Sequence, residues 1–592
     1  MTALRTWYPL TGAVTPSRGV MAVPKKKGPV DPLTGPKQAL AGRVVTMDNA
    51  YTVLDDGIVY IDKGLIVSVQ DRKQPTPGGF VGVDVVKTSG TLFPGLIELH
   101  NHLSYNALPL WAPVPKRFDH RGQWPAHENY RPLISGPMTI IGEYRDTSGQ
   151  PVLLPALVRY VECKCLLGGV TTSQGVKLAS NAGIQRFYRG IVRNVEQTDD
   201  PELPEAQGCI SDVDAKNARG FLNRLNRLKK EDRCLLLHLS EGVTDPSRPD
   251  SVARRHFLAL EIAPGEWALN NVFAGIHATG LLPEDLEVLA RYRGSMVWSP
   301  LSNLLLYGST ARVEAAKAAG VVIGLGSDWS PTGSKNLFGE LKVAWLYNQH
   351  VLGGVFKAQD LVAMATRDAA SILKWDKVLG SIEAGKRADL LVIDGAAGDP
   401  YDALIRAKET DIHLVMINGI ARYGIPGLMT ALAPGGQTVH VGGKMRRFFL
   451  KQETADPDVA AVPLGTATAT LRKALRNIVD MAKEAEKPKP AAAKRRALDA
   501  PDRPVWSLVL DEIHDRGVDL GPRLPFGGPR DFTGPERAVR GAALATAQPL
   551  SKILKPVQLD PLTVADDGDF LDAIEQQPNV PPSIRSGLRE LY

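Results

Sequence analysis

The sequence predicts an α/β protein centred on a (β/α)8, TIM-like barrel, with a small β-sandwich domain and a C-terminal extension. Three observations predict it. Short apolar runs alternate with helical apolar periods from residue 93 to residue 375, as parallel strands joined by helical crossovers do. Segments of strand pattern stand on both sides of that region, and together they make one small β-domain. Several of the central runs end in His or Asp, at the point where a barrel strand opens onto its catalytic face.

Residues 1–38 are rich in Pro, Gly and Lys without a period and read as an arm. Between Ala41 and Val86 come runs such as Gly42-Arg43-Val44-Val45-Thr46-Met47 and Gly57-Ile58-Val59-Tyr60-Ile61, broken by turns. With the later runs Ala388–Ile393 and 412–417 they place the sandwich over 39–92 and 376–450. The barrel occupies 93–375. Its first strand ends at His102, and Leu153–Leu167 carries a helical period that stops at Gly168-Gly169. Further strands are read at 170–172, 190–195, 234–239, 272–276, 296–298 and 321–325, the last after an Ala-rich helix over 311–319. An eighth strand falls in 209–214. The extension, 451–592, holds a charged helix near 468–486, an Ala/Pro/Lys linker and a Pro-rich tail ending in a short helix, which wraps the barrel or a neighbouring subunit.

Bulk numbers exclude several classes. At 592 residues the chain exceeds one core and predicts two to four domains. Its 44% hydrophobic and 23% charged residues are those of an ordinary globular protein. No apolar run approaches the roughly 18 residues that span a bilayer, and the start, with Arg5, Trp7, Tyr8 and Pro9, lacks a secretory pattern. Four cysteines, Cys163, Cys165, Cys209 and Cys234, cannot staple such a chain, so a reducing, cytoplasmic setting is expected. The net charge of +6 is small, and the basic run Lys494-Arg495-Arg496 lies in the linker. Solvated linker charge accounts for it, and nucleic acid and membrane are not expected partners.

The most informative stretch is Pro94-Gly95-Leu96-Ile97-Glu98-Leu99-His100-Asn101-His102. Residues i and i+2 of a strand share a face, so both imidazoles point into the barrel mouth as half of a metal site. His238, His277 and Asp328 close three later apolar runs. Any one of them alone is an ordinary hydrogen-bonded strand end; together they point to a metal. Nitrogen and carboxylate ligands without cysteine favour Zn, with Fe(II) or Mn as alternatives. Such an ion brings a bound water's pKa toward about 7 and yields hydroxide near neutrality. A proton carrier must then serve the leaving group, and Glu241, three residues after His238, has the reach for it.

The Pro94–His102 run, His238-x-x-Glu241, His277, Gly326-Ser327-Asp328 and Gly380-Ser381-Ile382-Glu383-Ala384-Gly385-Lys386-Arg387-Ala388-Asp389-Leu390 together resemble the amidohydrolase superfamily, over about residues 40–425. Within it the chain is most similar to the cytosine deaminase and chlorohydrolase branch. The resemblance implies one divalent metal held by His100, His102, His238 and Asp328, with Asp328 also taking a proton from the attacking water. It implies that His277 steers the hydroxide or polarises the scissile group, and that Glu241 protonates the departing nitrogen. The expected reaction is hydrolysis of a non-peptide carbon–nitrogen bond, in an amino-substituted heterocycle or in a cyclic or open amide, by a homo-oligomeric enzyme with a small-molecule substrate. Two other readings stand beside it. One is a binuclear amidohydrolase bridged by a carbamylated lysine, for which Lys177 is the nearest candidate; the other is an inactive scaffold that uses its tail for interactions.

Glu98 stands where relatives carry Asp, and parity directs it below His100 toward a hydrogen bond to a ligand. About 50 residues separate His102 from the first barrel helix, and loops of that length are functional or disordered. This one carries Trp111, Arg117 and Trp124, which with Trp329 are the expected substrate contacts; Lys335 is a further candidate.

Overall fold

The computed structural model describes residues 31–487 except 113, 115, 147–149, 181–184 and 210–217, together with 506–510 and 549–592. Its centre is two arcs of parallel strands. One joins Leu96–Glu98, Val170–Ser173 and Arg193–Asn194; the other joins Gln207–Cys209, Leu235–Leu239, Phe273–His277, Ser295–Trp298 and Val322–Leu325 in that order. Hydrogen bonds connect the arcs on both sides. Ala206 N–H donates to the Val195 carbonyl at 2.7 Å, and Asp328 N–H donates to the His100 carbonyl at 2.9 Å. The strands Leu-Leu-Leu-His-Leu and Phe-Ala-Gly-Ile-His are buried at every position, as parallel strands covered on both faces must be.

The strands before and after this region share one nine-stranded sheet. Leu390–Asp394 pairs antiparallel with Val85–Pro94, which in turn lies parallel to Gln38–Val45. Chain order explains the arrangement: the chain leaves the sheet at Pro94, directly before the first histidine strand, and returns to it at Leu390. Alternation then divides the sheet's two faces. Leu391 and Ile393 join the large central core, whereas Leu390 and Val392 pack with Leu40, Val59 and Met429 in a separate cluster.

Arg193 ties the sheet to the arcs. Buried at the start of its strand, it pairs with Asp389, donates from Nη2 to Asn418 Oδ1 at 2.8 Å and lies 3.1 Å from Asp31. Several local readings shift. The strand expected over 190–195 shortens to Arg193–Asn194, because the chain turns outward to form the Lys177–Ser180 and Gln185–Phe187 hairpin first. The eighth strand is Gln207–Cys209, and the rest of 209–214 lies outside the described residues, as do most of the arm and Lys494-Arg495-Arg496. The charged helix is two helices, Leu464–Arg476 and Ile478–Glu486, meeting at Asn477, a residue whose side chain competes with helical hydrogen bonding.

The segment after His102 is less of a loop than expected. It contains the helix Gly136–Glu143, whose Met138, Ile140 and Ile141 are buried. Pro137 lies in its first turn, where proline is compatible with a helix. The tail packs on the same chain: Val557, Leu559, Phe570, Ile574, Ile584 and Leu588 enter the central core. Among the described residues no helix is long and apolar enough to cross a membrane.

Removing Arg193 leaves Asp389 and Asp31 buried without their cation. Arg193→Met is therefore expected to lower stability by about 3–5 kcal/mol, measured as a downward shift of the denaturant midpoint; a midpoint equal to that of the unaltered chain would show that the bridge does not hold sheet and arcs together.

Candidate metal centre

The histidine pair is set by backbone pairing. Leu99 N–H donates to the Leu325 carbonyl, Asp328 N–H to the His100 carbonyl, and His102 N–H to the Asp328 carbonyl at 2.8 Å. Gly326 permits this approach, since a Cβ there would lie 2.5 Å from His100 Cβ and 2.8 Å from its backbone nitrogen. Asp328 and His277 both adopt left-handed backbone, with φ of 66° and 67°. Such conformations are costly for non-glycine residues and concentrate where a side chain must be aimed.

The result is a tight, buried cluster. Asp328 Oδ1 lies 3.2 Å from His100 Nε2 and 3.5 Å from His102 Nε2, and His102 Nε2 lies 3.3 Å from His238 Nε2. His277 Nε2 is 3.6 Å from Glu241 Oε2. Burial pushes the His100, His238 and His277 imidazoles down to neutrality. Burial alone would raise the Asp328 carboxyl, but the facing His100, with His102 and His277, holds it below the usual carboxylate range; Ser302 Oγ also donates to its Oδ2 at 2.6 Å.

Partners on the far side of two rings fix their tautomers. Gln174 Oε1 accepts from Asn101 N–H at 3.0 Å and faces His100 Nδ1 at 3.4 Å, while the same amide's Nε2 donates to Glu196. An acceptor there lets the proton sit on His100 Nδ1 and the Nε2 lone pair, which faces Asp328 Oδ1 at 3.2 Å, serve a bound cation. His277 is the reverse. Asn303 Nδ2 donates to its Nδ1 at 2.9 Å, with the amide oriented by Thr310 Oγ1 donating to Asn303 Oδ1. His277 Nε2 therefore carries a proton and points it at Glu241. Three overlapping groups could hold a divalent cation, His100 with His102 and His238, His100 with His277 and Asp328, and His238 with Glu241 and His277; the Asn303 contact favours His277 as a hydrogen-bond donor.

Glu241 is the other buried acid. Tyr307 O–H donates to its Oε1 at 2.6 Å and Arg121 Nη1 lies 4.0 Å from Oε2. Burial, opposed by the Arg121 guanidinium, pushes its carboxyl up to about 7. Trp124 Nε1 donates to Tyr307, and Trp124 packs on Trp329, whose ring stands 6.2 Å from His102. The segment carrying Trp124 is clamped down, with Trp111 N–H on the Pro331 carbonyl and Phe118 N–H on the Leu306 carbonyl.

Not every expected residue joins the centre. Trp111 stacks on Phe118 and meets His127 edge-on, and Arg117 is exposed, packed along Gly308. Lys335 is not a substrate contact: it is buried in ion pairs with Asp560 and Asp567 of the tail, a partner no local reading of 329–335 could reveal. Lys177 opens the hairpin that pairs with 185–187 and 506–508 instead of an arc strand. Glu98 accepts from Ser327 N–H at 2.9 Å, Ser327 Oγ at 2.7 Å and the His100 backbone, so it braces the turn that carries Asp328; burial pushes its carboxyl up to about 8. Reasoning from run ends missed Gln174, Ser302, Asn303 and Tyr307. Gln174 follows a strand end as the ligands do, and Ser302 and Asn303 are polar residues inside the otherwise apolar helix Pro300–Tyr307; either signal marks them.

Fold and cluster define a class, an α/β protein with arcs of parallel strands and a buried cluster of histidine and carboxylate side chains able to hold a metal ion. The Amidohydrolase family matches residues 264–421. The chain is 33% identical over 153 residues to a 5-methylthioadenosine/S-adenosylhomocysteine deaminase of Thermoanaerobacter pseudethanolicus, covering 24% of this chain and 36% of that protein. The chain thus spans about a third of that relative. Against a protein of the same name from Nitratidesulfovibrio vulgaris it is 25% identical over 440 residues, 69% of this chain and 92% of the relative. A mutant of atrazine chlorohydrolase TrzN from Arthrobacter aurescens TC1, complexed with zinc and atraton, superposes with a TM-score of 0.51 at 20% identity, covering 65% of this chain and 94% of that one; this likeness is one of fold.

His100→Asn is expected to cost more than the roughly 10–100-fold in zinc affinity typical of residues that only support a ligand. Metal content after dialysis checks it; full retention would remove His100 from the ligand set.

Proposed function

We propose that the chain is a metal-dependent hydrolase that deaminates an amino-substituted heterocycle of the purine nucleoside type. The observation that carries this is the convergence of three imidazole nitrogens and the Asp328 carboxylate beside a buried Glu241–His277 pair. The relative matched along 92% of its length carries a deaminase name, which supports the substrate class. The domain division that goes with this reading is an arm over 1–38, a β-domain over 39–92 and 376–450, a closed eight-stranded barrel over 93–375, and an extension over 451–592.

His100, His102, His238 and Asp328 would hold one divalent ion, Zn by preference. Such an ion, when bound, lowers the pKa of a coordinated water toward about 7 and polarises the reacting centre. Asp328 takes a proton from the attacking water, and its Ser302 partner keeps the carboxylate aimed. His277 offers its Nε2 proton to the group attacked. Glu241, oriented by Tyr307, passes a proton to the exocyclic nitrogen. One carbon–oxygen bond forms, the carbon–nitrogen bond breaks, and ammonia leaves. Trp329, 6.2 Å from His102 and packed against Trp124, would offer an aromatic face to a flat ring. The donor set supports an enzyme over a scaffold, and the place of Lys177 at the start of a hairpin supports one ion over two.

Zinc-loaded protein is expected to release ammonia from 5-methylthioadenosine or related purine nucleosides in a panel that includes pyrimidines, triazines and pterins. Glu241→Gln is expected to keep its metal and lose about 10²–10⁴-fold in kcat. Ring-opened acid or released amine in place of ammonia would contradict the deaminase reading, and an unimpaired Glu241→Gln would remove the proton carrier.

A further inference from the structure

The tail reaches the back of the metal centre. Asp560 is buried and its carboxylate is shared between two buried lysines, Lys164 from the helix Leu153–Leu167 and Lys335 from the segment after Asp328. Its backbone is also held: Asp560 N–H donates to the Ala107 carbonyl at 3.0 Å, and Tyr160 O–H donates to the Asp560 carbonyl at 2.5 Å. Two lysines turned toward one buried point repel each other and lose hydration without an anion. Asp567 pairs with Lys335, which leaves Asp560 as the carboxylate on Lys164.

From Lys164 a line of buried hydrogen bonds runs to the histidine pair. Lys164 Nζ donates to Ser330 Oγ at 2.6 Å and to the Asn106 carbonyl at 3.1 Å. Asn106 Oδ1 accepts from Ser330 N–H, and its Nδ2 donates to Asn101 Oδ1, both at 2.9 Å. Asn101 sits between His100 and His102, donates its N–H to Gln174 and forms an isolated parallel bridge with Asp328. Lys164 therefore fastens the turn after His102 to the turn after Asp328, and Asp560 holds Lys164 in place. The link from Lys335 ends on the tail itself, at Asp560, Asp567 and the Phe570 ring.

We propose that Asp560 is a positioning residue of the metal centre, through which the C-terminal segment sets the backbone carrying His100 and His102 by way of Lys164, Asn106 and Asn101. The extension is then part of the site's scaffold as well as a cover for the barrel. The consequence for catalysis rests on the metal-hydrolase reading, while the positioning itself is a property of the metal-free chain.

The test uses the full chain with D560N, K164M and K335M. In metal-free protein, amide hydrogen exchange over residues 100–107 is expected to rise at least about tenfold in D560N and in K164M and to stay unchanged in K335M. Co²⁺ affinity, read from its visible absorption, is expected to weaken about tenfold in the first two and not in the third. K164M keeps the question open to measurement if D560N does not fold. Unchanged exchange and Co²⁺ affinity in K164M would overturn the proposal, as would an equal rise in K335M or a rise spread evenly along the chain. Localised exchange in D560N in a protein that releases no ammonia from any substrate would uphold the positioning role and count against the deaminase reading alone.

Discussion

The backbone pairing of Asp328 with the His100–His102 turn is the constraint on which the site depends. Asp328 donates its N–H to one histidine's carbonyl and accepts the N–H of the other, so the last and first strands of the arcs meet at the residues that carry the chemistry. Side-chain geometry follows from that register. A one-residue slip would turn both imidazoles out of the cluster, because strand faces alternate. Left-handed backbone at Asp328 and Gly at 326 are the local terms that make the approach possible.

Around this pairing, burial decides protonation. Imidazoles removed from water stay neutral and keep lone pairs for a cation, and the opposite hydrogen-bond partners of His100 and His277 give the two rings opposite roles. Gln174 Oε1 faces His100 Nδ1 as an acceptor, and the Asn303 amide donates to His277 Nδ1; in the proposed mechanism the first frees a ligand nitrogen and the second a proton donor. Glu241, raised by the same burial toward neutrality, is able to hold and give up a proton. The clamped segment with Trp124 packs on Trp329 beside His102, and the tail's Asp560 pairs with Lys164 and Lys335.

Much of this was legible in the sequence, for identifiable reasons. Parity placed His100 and His102 on one face, and His238, His277 and Asp328 stood at the ends of apolar runs, which is where the fold brings them together. Contacts made at long sequence range left no such mark. Nothing near Lys335 announces that Asp560 neutralises it, and nothing near Arg193 announces Asp389. The helix Gly136–Glu143 within the expected loop is held by packing of Met138, Ile140 and Ile141, which short-range propensity does not show. Gln174 and Asn303 had sequence signals, but their meaning depends on which ring nitrogen they face.

The most direct test of the account is anomalous scattering at the zinc edge from crystals grown with zinc. The account predicts a single peak bonded to His100, His102, His238 and Asp328, with His277 and Glu241 beside it and unbonded. A second peak, a peak bonded to His277, or none at all would contradict it.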